Sequence, residues 1–257
     1  MLGIGWLKGG ILRSGESRDM REFRKPLEPG LRNARGAFSL MELVAASAIL
    51  AVLVGLGSMA YLNGMVAANR VKCLGNQRQI GLALLNYANE NDGIFPPTTH
   101  STGSWRKERS WIFQLDPYLE NVDEVRICPA DPPARRKRIR DMDATSYVLN
   151  DLVFDDARYH RPLLIPRRSE TLLLTVLNED RAPSATRDHI HGGEWTSWLA
   201  ALNDIEPDRH RSGSRTPDRL GGSSNYLYAD GSARTLSASD FKAQFDQGIN
   251  PAEVPLH

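Results

Sequence analysis

Cysteine is scarce in this sequence, and familiar catalytic motifs are missing from it. Only Cys73 and Cys128 occur among 257 residues, and no Cys or His spacing near them matches a zinc-binding motif. The chain has no nucleotide-binding glycine loop and no legible Ser/His/Asp arrangement. These absences exclude a disulfide-rich scaffold and a zinc finger, and nothing in the motifs predicts an enzyme.

Charge is absent from a long stretch near the N-terminus. No charged residue occurs from Leu43 through Asn69, and the segment LVAASAILAVLVGLGSMAYL (43–62) is apolar throughout. A helix of this length spans about 30 Å, the thickness of the hydrocarbon core of a bilayer. The segment therefore predicts a transmembrane helix. A buried core helix would show a polar face, and a secretory signal would be shorter and end in a small-x-small cleavage site.

The net charge of +1 is unevenly distributed along the chain. Residues 1–37 carry eight Lys or Arg against four acids, a net of +4, which leaves −3 on the remaining 220 residues. Basic segments stay on the cytoplasmic side of a membrane helix, so we expect a cytoplasmic leader and an exported body. Arg70 and Lys72 on the far side weaken this prediction without reversing it.

Glu42 lies immediately before the apolar run. An ionisable side chain in lipid is costly unless a partner neutralises it, and no Lys or Arg follows on the same helix face. A new α-amino group, made by cutting the chain just upstream, would be such a partner.

The segment Phe38-Ser39-Leu40-Met41-Glu42, after a basic leader and a small residue, resembles the processing site of type IV pilins and type II secretion pseudopilins. The resemblance implies that a membrane peptidase cleaves between Ala37 and Phe38 and methylates Phe38. It also implies that Glu42, the fifth mature residue, pairs with the terminal amine of a neighbouring subunit. Ala37 departs from the commoner Gly before the cut. The leader begins at Met1 or, if Met20 is the true start, at Met20.

The helix is predicted to continue beyond the lipid, from about Phe38 to Asn91, and to end at Asn91-Asp92-Gly93 before two prolines. At 100° per residue it carries two apolar stripes, which predict one face against the chain's own domain and one against neighbouring subunits; a deeply buried helix would give the same pattern. The first stripe consists of Cys73, Ile80, Leu84 and Tyr87, and the second of Val71, Leu74, Leu82 and Leu85.

The segment 73–97 is similar to the stalk of a subgroup of large pseudopilin-like proteins, and 110–132 is similar to the segment that follows the stalk in them. In both segments the cysteine recurs at the matching place. If the body is exported, Cys73 and Cys128 either form a disulfide or stay as two buried thiols. The resemblance favours the disulfide, which would close a loop of about 55 residues and stabilise the fold by roughly 3 to 4 kcal/mol.

The subgroup also carries a signature near its C-terminus, in which a His is followed by nine residues and then by Asp-Gly. Here Asp230-Gly231 is kept, but Leu220 stands at the His position.

The rest of the chain predicts a C-terminal antiparallel sheet, and the fold class is α+β, pilin-like. Strands are expected at 145–151 and 171–178, the second of them central, and a hairpin is expected at 225–236 with Asp230-Gly231 at its turn. The basic run 135–140 predicts a solvated loop. The predicted domains are a cleaved leader (1–37), a membrane and stalk helix (38–92) and a periplasmic globular domain (93–257).

Two groups of residues offer alternative metal sites. His189 and His191 lie on one side of a strand, and Glu194 follows a Gly-Gly turn, so these three residues are an alternative metal site. Calcium in an acidic loop is a further alternative, because major pseudopilins bind it in a C-terminal loop. Asp204, Glu206 and Asp208 are acidic, but their spacing assigns no site.

These observations together predict a non-enzymatic, single-pass subunit in a bacterial inner membrane, with a periplasmic or cell-surface domain. Its expected partners are the prepilin peptidase, other pilin or pseudopilin subunits, an inner-membrane assembly platform and lipid. Five basic residues without interleaved aromatics give no reason to expect nucleic acid. The alternative is a membrane-anchored periplasmic enzyme or ligand-binding domain with metal near His189 and His191.

Overall fold

A computed structural model describes residues 38–103 and 106–256. The leader 1–37, with both start positions and Ala37, lies outside the described residues. The chain forms two compact units that divide in sequence between Leu50 and Ala51.

The first element, α1, is a single helix from Leu40 to Glu90. It ends where Asp92 and Gly93 adopt left-handed backbone conformations and the Gly93 N–H donates to the Ala88 carbonyl. Glycine takes this conformation without steric cost, so the Asn-Asp-Gly stop acts as the sequence predicts. The predicted span of one long helix is confirmed.

Short elements follow α1. The helices are α2 (Thr99–Thr102), α3 (Trp111–Gln114), α4 (Val122–Val125), α5 (Pro133–Asp141), α6 (Asp151–Phe154), α7 (Trp198–Ala201) and α8 (Ala238–Asp246), with 3₁₀ turns at Lys107–Arg109, Asp116–Tyr118, Pro162–Leu164 and Gly192–Glu194. The strands are β1 (Tyr147–Asn150), β2 (Leu172–Val176), β3 (His189–Ile190), β4 (His210–Arg211), β5 (Gly222–Tyr228) and β6 (Ala233–Ser237).

The strands form one mixed sheet in the order β3-β1-β2-β5-β4, with β6 also paired to β5. The pairs β1–β2, β2–β5, β4–β5 and β5–β6 are antiparallel, whereas β1–β3 is parallel. The predicted antiparallel sheet is thus correct except at β3, which follows a long connection and returns in the direction of β1. β2 is central and fully buried, as its apolar sequence predicts.

The β5–β6 hairpin turns at Asp230-Gly231, as expected. Gly231 adopts a positive φ of 83°, and the Asp230 carboxylate accepts hydrogen bonds from the backbone N–H and hydroxyl of Ser232. The Asp-Gly pair therefore shapes the turn.

One face of α1 packs on this sheet. Cys73, Ile80 and Leu84 of the first predicted stripe are buried, and Tyr87 is partly buried against the same core. In the second stripe Leu74 and Leu85 also touch the core, while Val71 and Leu82 are 65% and 62% exposed. The fold is therefore α+β, a long N-terminal helix packed against a C-terminal mixed sheet.

Gly81 is the point of closest approach between α1 and the hairpin. A Cβ atom there would lie 2.7 Å from Cδ1 of Leu227, which is buried, and 3.4 Å from the carbonyl oxygen of Gly231. Only glycine lets the helix approach the hairpin so closely.

The basic run is a helix and not the loop that we predicted, although Lys137, Arg138 and Arg140 are exposed to solvent as expected. It forms α5, and Arg135 is buried, with its guanidinium 3.2 Å from Asp131 and donating to the carbonyls of Asn178 and Glu179. Arg135 departs from the predicted solvation, because a guanidinium can donate to several carbonyls at once and so be buried.

Candidate functional site

The start of α1 is a reciprocal cap between Ser39 and Glu42. The Ser39 N–H donates to the Glu42 carboxylate at 2.8 Å, and the Glu42 N–H donates to the Ser39 hydroxyl at 3.1 Å. Together these bonds satisfy two amides that a helix start leaves unpaired, and the carboxylate also lies at the positive end of the helix dipole. Glu42 thus has a local structural role that the sequence analysis did not identify.

Phe38 is the first described residue, and its side chain is 87% exposed. It directly precedes Ser39, whose backbone N–H donates a hydrogen bond to the Glu42 carboxylate. The predicted cleavage of the Ala37–Phe38 bond and methylation of Phe38 stay predictions.

The first part of α1 carries an uncovered apolar surface. Its most apolar 18-residue window has a mean hydropathy of 2.3, and no residue of that window is buried. Leu50, Leu53 and Leu56 are each more than 60% exposed. A core helix would be covered, so the alternative of a buried helix is excluded for the described structure. The helix is long and apolar enough to cross a membrane.

Two buried amides, Asn76 and Gln77, fix the second part of α1 to the sheet domain. Asn76 Nδ2 donates to the Ile127 carbonyl at 3.2 Å, and Gln77 Nε2 donates to the Asn225 carbonyl at 3.0 Å. Asn225 Nδ2 in turn donates to the Arg70 carbonyl at 2.9 Å. These bonds fix both the rotation and the axial position of the helix, because each buried amide must find its partner.

Cys73 on the buried face of α1 lies beside Cys128, and both are fully buried. Their sulfur atoms and a ring nitrogen of His210 lie within 4.8 Å of one another. The Tyr147 hydroxyl donates to Cys73 Sγ at 3.5 Å. Both cysteines are free thiols in the structure. The structure therefore brings the predicted pair together, and the disulfide itself stays a prediction.

The two thiols differ in acidity. Burial raises the pKa of both, and for Cys128 the neighbouring Cys73 and Asp131 raise it further. At Cys73 the hydrogen bonds from Cys128, His210 and Tyr147 outweigh burial and hold the pKa well below its usual value. A lowered thiol pKa favours the thiolate, which is the form that attacks in disulfide chemistry.

His210 is a residue that the fixed-spacing count missed. It lies on β4 opposite Ser223 of β5 and is 4% exposed. Leu220, the residue at the counted position, packs instead against a buried cluster that includes Trp198 and Tyr226. The loop 212–221 separates His210 from β5 in sequence, so counting nine residues back from Asp230 does not reach it. The pairing of β4 with β5 nevertheless brings His210 beside the hairpin.

The three acids considered for calcium are bound by basic and aromatic side chains. Asp204 accepts from Trp195 Nε1 at 3.0 Å and pairs with Arg181 at 2.8 Å. Glu206 pairs with Arg219. Burial, and then the contact with Glu206, raises the pKa of Asp208 to about 6. The structure thus gives these carboxylates partners within the chain, and calcium stays an unassigned prediction.

His189 and His191 lie side by side, with ring centroids 5.1 Å apart. The ring of His100 joins them, whereas Glu194 is exposed in the 3₁₀ turn that follows and is not part of the group whose ligand atoms lie within 4.8 Å. The sequence could not reveal His100, because 89 positions separate it from His189.

The architecture defines a class: a long helix, uncovered and apolar in its first part and docked on a mixed sheet in its second, is the α+β arrangement of pilin-like proteins. A family model described as "Protein of unknown function (DUF1559)", associated with pilin-like and pseudopilin proteins, matches residues 66–126. This match covers the docked part of α1 and the segment through α4, and it stops before Cys128 and the sheet. No curated protein and no solved structure matches the chain.

Proposed function

We propose that this protein is a structural, non-enzymatic pseudopilin-like subunit. Prepilin peptidase cleaves it after Ala37 and methylates Phe38, and it then joins a type II secretion-like or type IV pilus-like filament. Before assembly it resides in a bacterial inner membrane, with its N-terminus in the cytoplasm and its domain outside. The peptidase, like subunits and an inner-membrane platform are its partners.

The observation that carries this proposal is the uncovered apolar part of α1, continuous with a docked part of the same helix. None of the most apolar window is buried, whereas Ile80 and Leu84 are completely buried. A simple anchor needs only lipid. In a filament, the apolar surface of each such helix is covered by the helices of neighbouring subunits, which take the place of lipid.

The exposed side of the docked part supports the proposal as well. Val71 and Leu82 are 65% and 62% exposed and lie eleven residues apart, about three turns, so they share one face. This face is opposed to the core and is free to contact a neighbouring subunit. Contacts of this kind are head to tail, so they build open filaments.

The decisive experiment is an intact-mass measurement of the full protein isolated from its native host. We expect a chain that begins at Phe38 and carries the mass of one added methyl group. The matched control is the same protein from a host that lacks the peptidase, where the leader should remain. A chain that begins ahead of Ala37 while the peptidase is present would refute the proposal.

A further inference from the structure

Three histidines from distant parts of the chain meet at one surface of the sheet domain. His100 lies on α2, His189 on β3 and His191 directly after β3. The ring centroids are 5.3 Å apart for His100 and His189, and 6.2 Å apart for His100 and His191. One ring nitrogen from each lies within 4.8 Å of the other two.

Three imidazoles so placed are the donor set of a metal site. Each neutral ring keeps one nitrogen lone pair that it can donate to a metal ion, whereas protonated rings would repel one another as like charges.

Asp188 fixes the ring of His189 in the orientation that a metal ligand needs. Its carboxylate lies 2.8 Å from His189 Nδ1. A carboxylate only accepts hydrogen bonds, so Nδ1 carries the proton and the neutral ring offers Nε2. Metal-binding histidines are commonly held by such a carboxylate.

The same carboxylate positions His100. Asp188 accepts from the Thr99 hydroxyl at 2.7 Å and from the Thr99 N–H at 3.1 Å. Thr98 Oγ1 donates to Asp155 at 2.8 Å, which anchors the start of α2. The residues before His100 are therefore held by two acids, although His100 itself is exposed and can rotate.

His191 is held through the residue that follows it. The Gly192 N–H donates to Asp151 Oδ1 at 2.7 Å. A Cβ at Gly192 would lie 2.7 Å from the Cβ of Ala252, so the backbone here is tightly enclosed.

Nearby carboxylates balance the charge of a cation. The carboxylates of Asp188, Asp155 and Asp151 are close enough to His189 to act on it electrostatically. These same negative charges favour a divalent ion.

We propose that His100, His189 and His191 bind one divalent transition-metal ion, with zinc as the representative and water as a fourth ligand. Imidazole suits zinc, copper and nickel, whereas magnesium and calcium prefer oxygen ligands. In a tetrahedral zinc site the ligand nitrogens are about 3.4 Å apart. Rotation of the exposed His100 ring changes its distances to the other two rings, and a side-chain adjustment of His191 sets its distance to His189.

The test is zinc titration of the full chain, purified in detergent without a polyhistidine tag. We expect one zinc per chain, competition by cobalt with a tetrahedral visible spectrum, and no competition by magnesium. The variants H100Q, H189Q and H191Q should each weaken zinc binding. The loss should be at least the roughly 10- to 100-fold that removal of a mere outer-shell partner costs.

Two controls make the result specific. H160Q changes a histidine outside the cluster, and E194Q removes the ligand that the sequence favoured. Both should bind zinc as the wild type does. H100Q alters an exposed side chain, so it should stay folded even if H189Q does not, which a thermal melt will show.

Three outcomes would overturn the proposal. The first is no stoichiometric zinc, and the second is undiminished binding by folded H100Q. The third is an equal loss of zinc affinity in E194Q and H100Q, which would show that the ligands are not the three histidines alone.

Discussion

The Glu42 carboxylate has two roles that substitutions can separate. It caps α1 through the Ser39 N–H, and under the proposed function it pairs with the terminal amine of a neighbouring subunit. Gln occupies this position of a capping box as well as Glu does, so E42Q removes the charge and keeps the cap. S39A does the reverse, because it removes the hydroxyl that accepts from the Glu42 N–H and keeps the charge.

The expected effects differ in size. A carboxylate and an ammonium about 4 Å apart attract by about 4 kcal/mol at an effective dielectric constant of about 20. If screening halves this energy, the loss is about 2 kcal/mol, and since about 1.4 kcal/mol is tenfold, E42Q should reduce filament incorporation by roughly 30- to 700-fold. S39A costs the helix about 0.5 to 2 kcal/mol. That cost falls equally on the free and the assembled subunit, so we expect incorporation within about twofold of wild type.

The assay is the ratio of assembled to membrane-bound subunit in the native host, by quantitative immunoblotting of sheared filaments and membranes. Intact mass first establishes that both variants begin at Phe38. Normal incorporation of processed E42Q would refute the proposed pairing. Equal defects in E42Q and S39A would show that the cap, and not the charge, is what assembly requires.

Three further predictions concern the domain. G81V should destabilise the domain by about 1 to 3 kcal/mol through overpacking, whereas G75A, whose new methyl group meets open space, should stabilise it by up to about 1 kcal/mol. Urea unfolding followed by tryptophan fluorescence measures both changes. An equal response of the two variants would contradict the close approach of α1 to the hairpin at Gly81. Cys73 and Cys128 should resist alkylation until reduced when protein from the native host is first unfolded in denaturant, because both are buried in the folded chain. Reduction should cost roughly 3 to 4 kcal/mol. Immediate alkylation of both in the unfolded, unreduced protein would exclude the bond. Because the folded pKa of Asp208 is raised to about 6 from 3.8, its contribution to stability is present in acid and is lost as the pH rises through about 6. D208N should therefore gain stability relative to wild type between about pH 4.5 and pH 7, as measured by unfolding at both values, and a constant difference would contradict the raised pKa.

The parts of the fold that depend on local pattern were predictable. The apolar run and the Asn-Asp-Gly stop predicted α1 almost to the residue, and the Asp230-Gly231 pair predicted the hairpin. Both signals lie within a few residues of the structure that they specify.

The parts that depend on distant contacts were not predictable in the same way. Arg135 is buried because carbonyls from residues 178–181 converge on it, and His100 joins His189 because Asp188 holds the backbone of Thr99. The local sequence around Arg135 and around His100 does not indicate which distant residues will contact them.

The sequence alone determined that this chain has a long apolar helix with an acid at its start and a stop at its end. Periodicity and charge are properties of neighbouring residues, and they specify elements. Only the tertiary structure decided that His210 lies beside Cys73 and that three histidines share one surface. Each of these depends on how the chain folds back on itself, because chemistry between side chains acts over a few ångströms in space, whatever their separation in sequence.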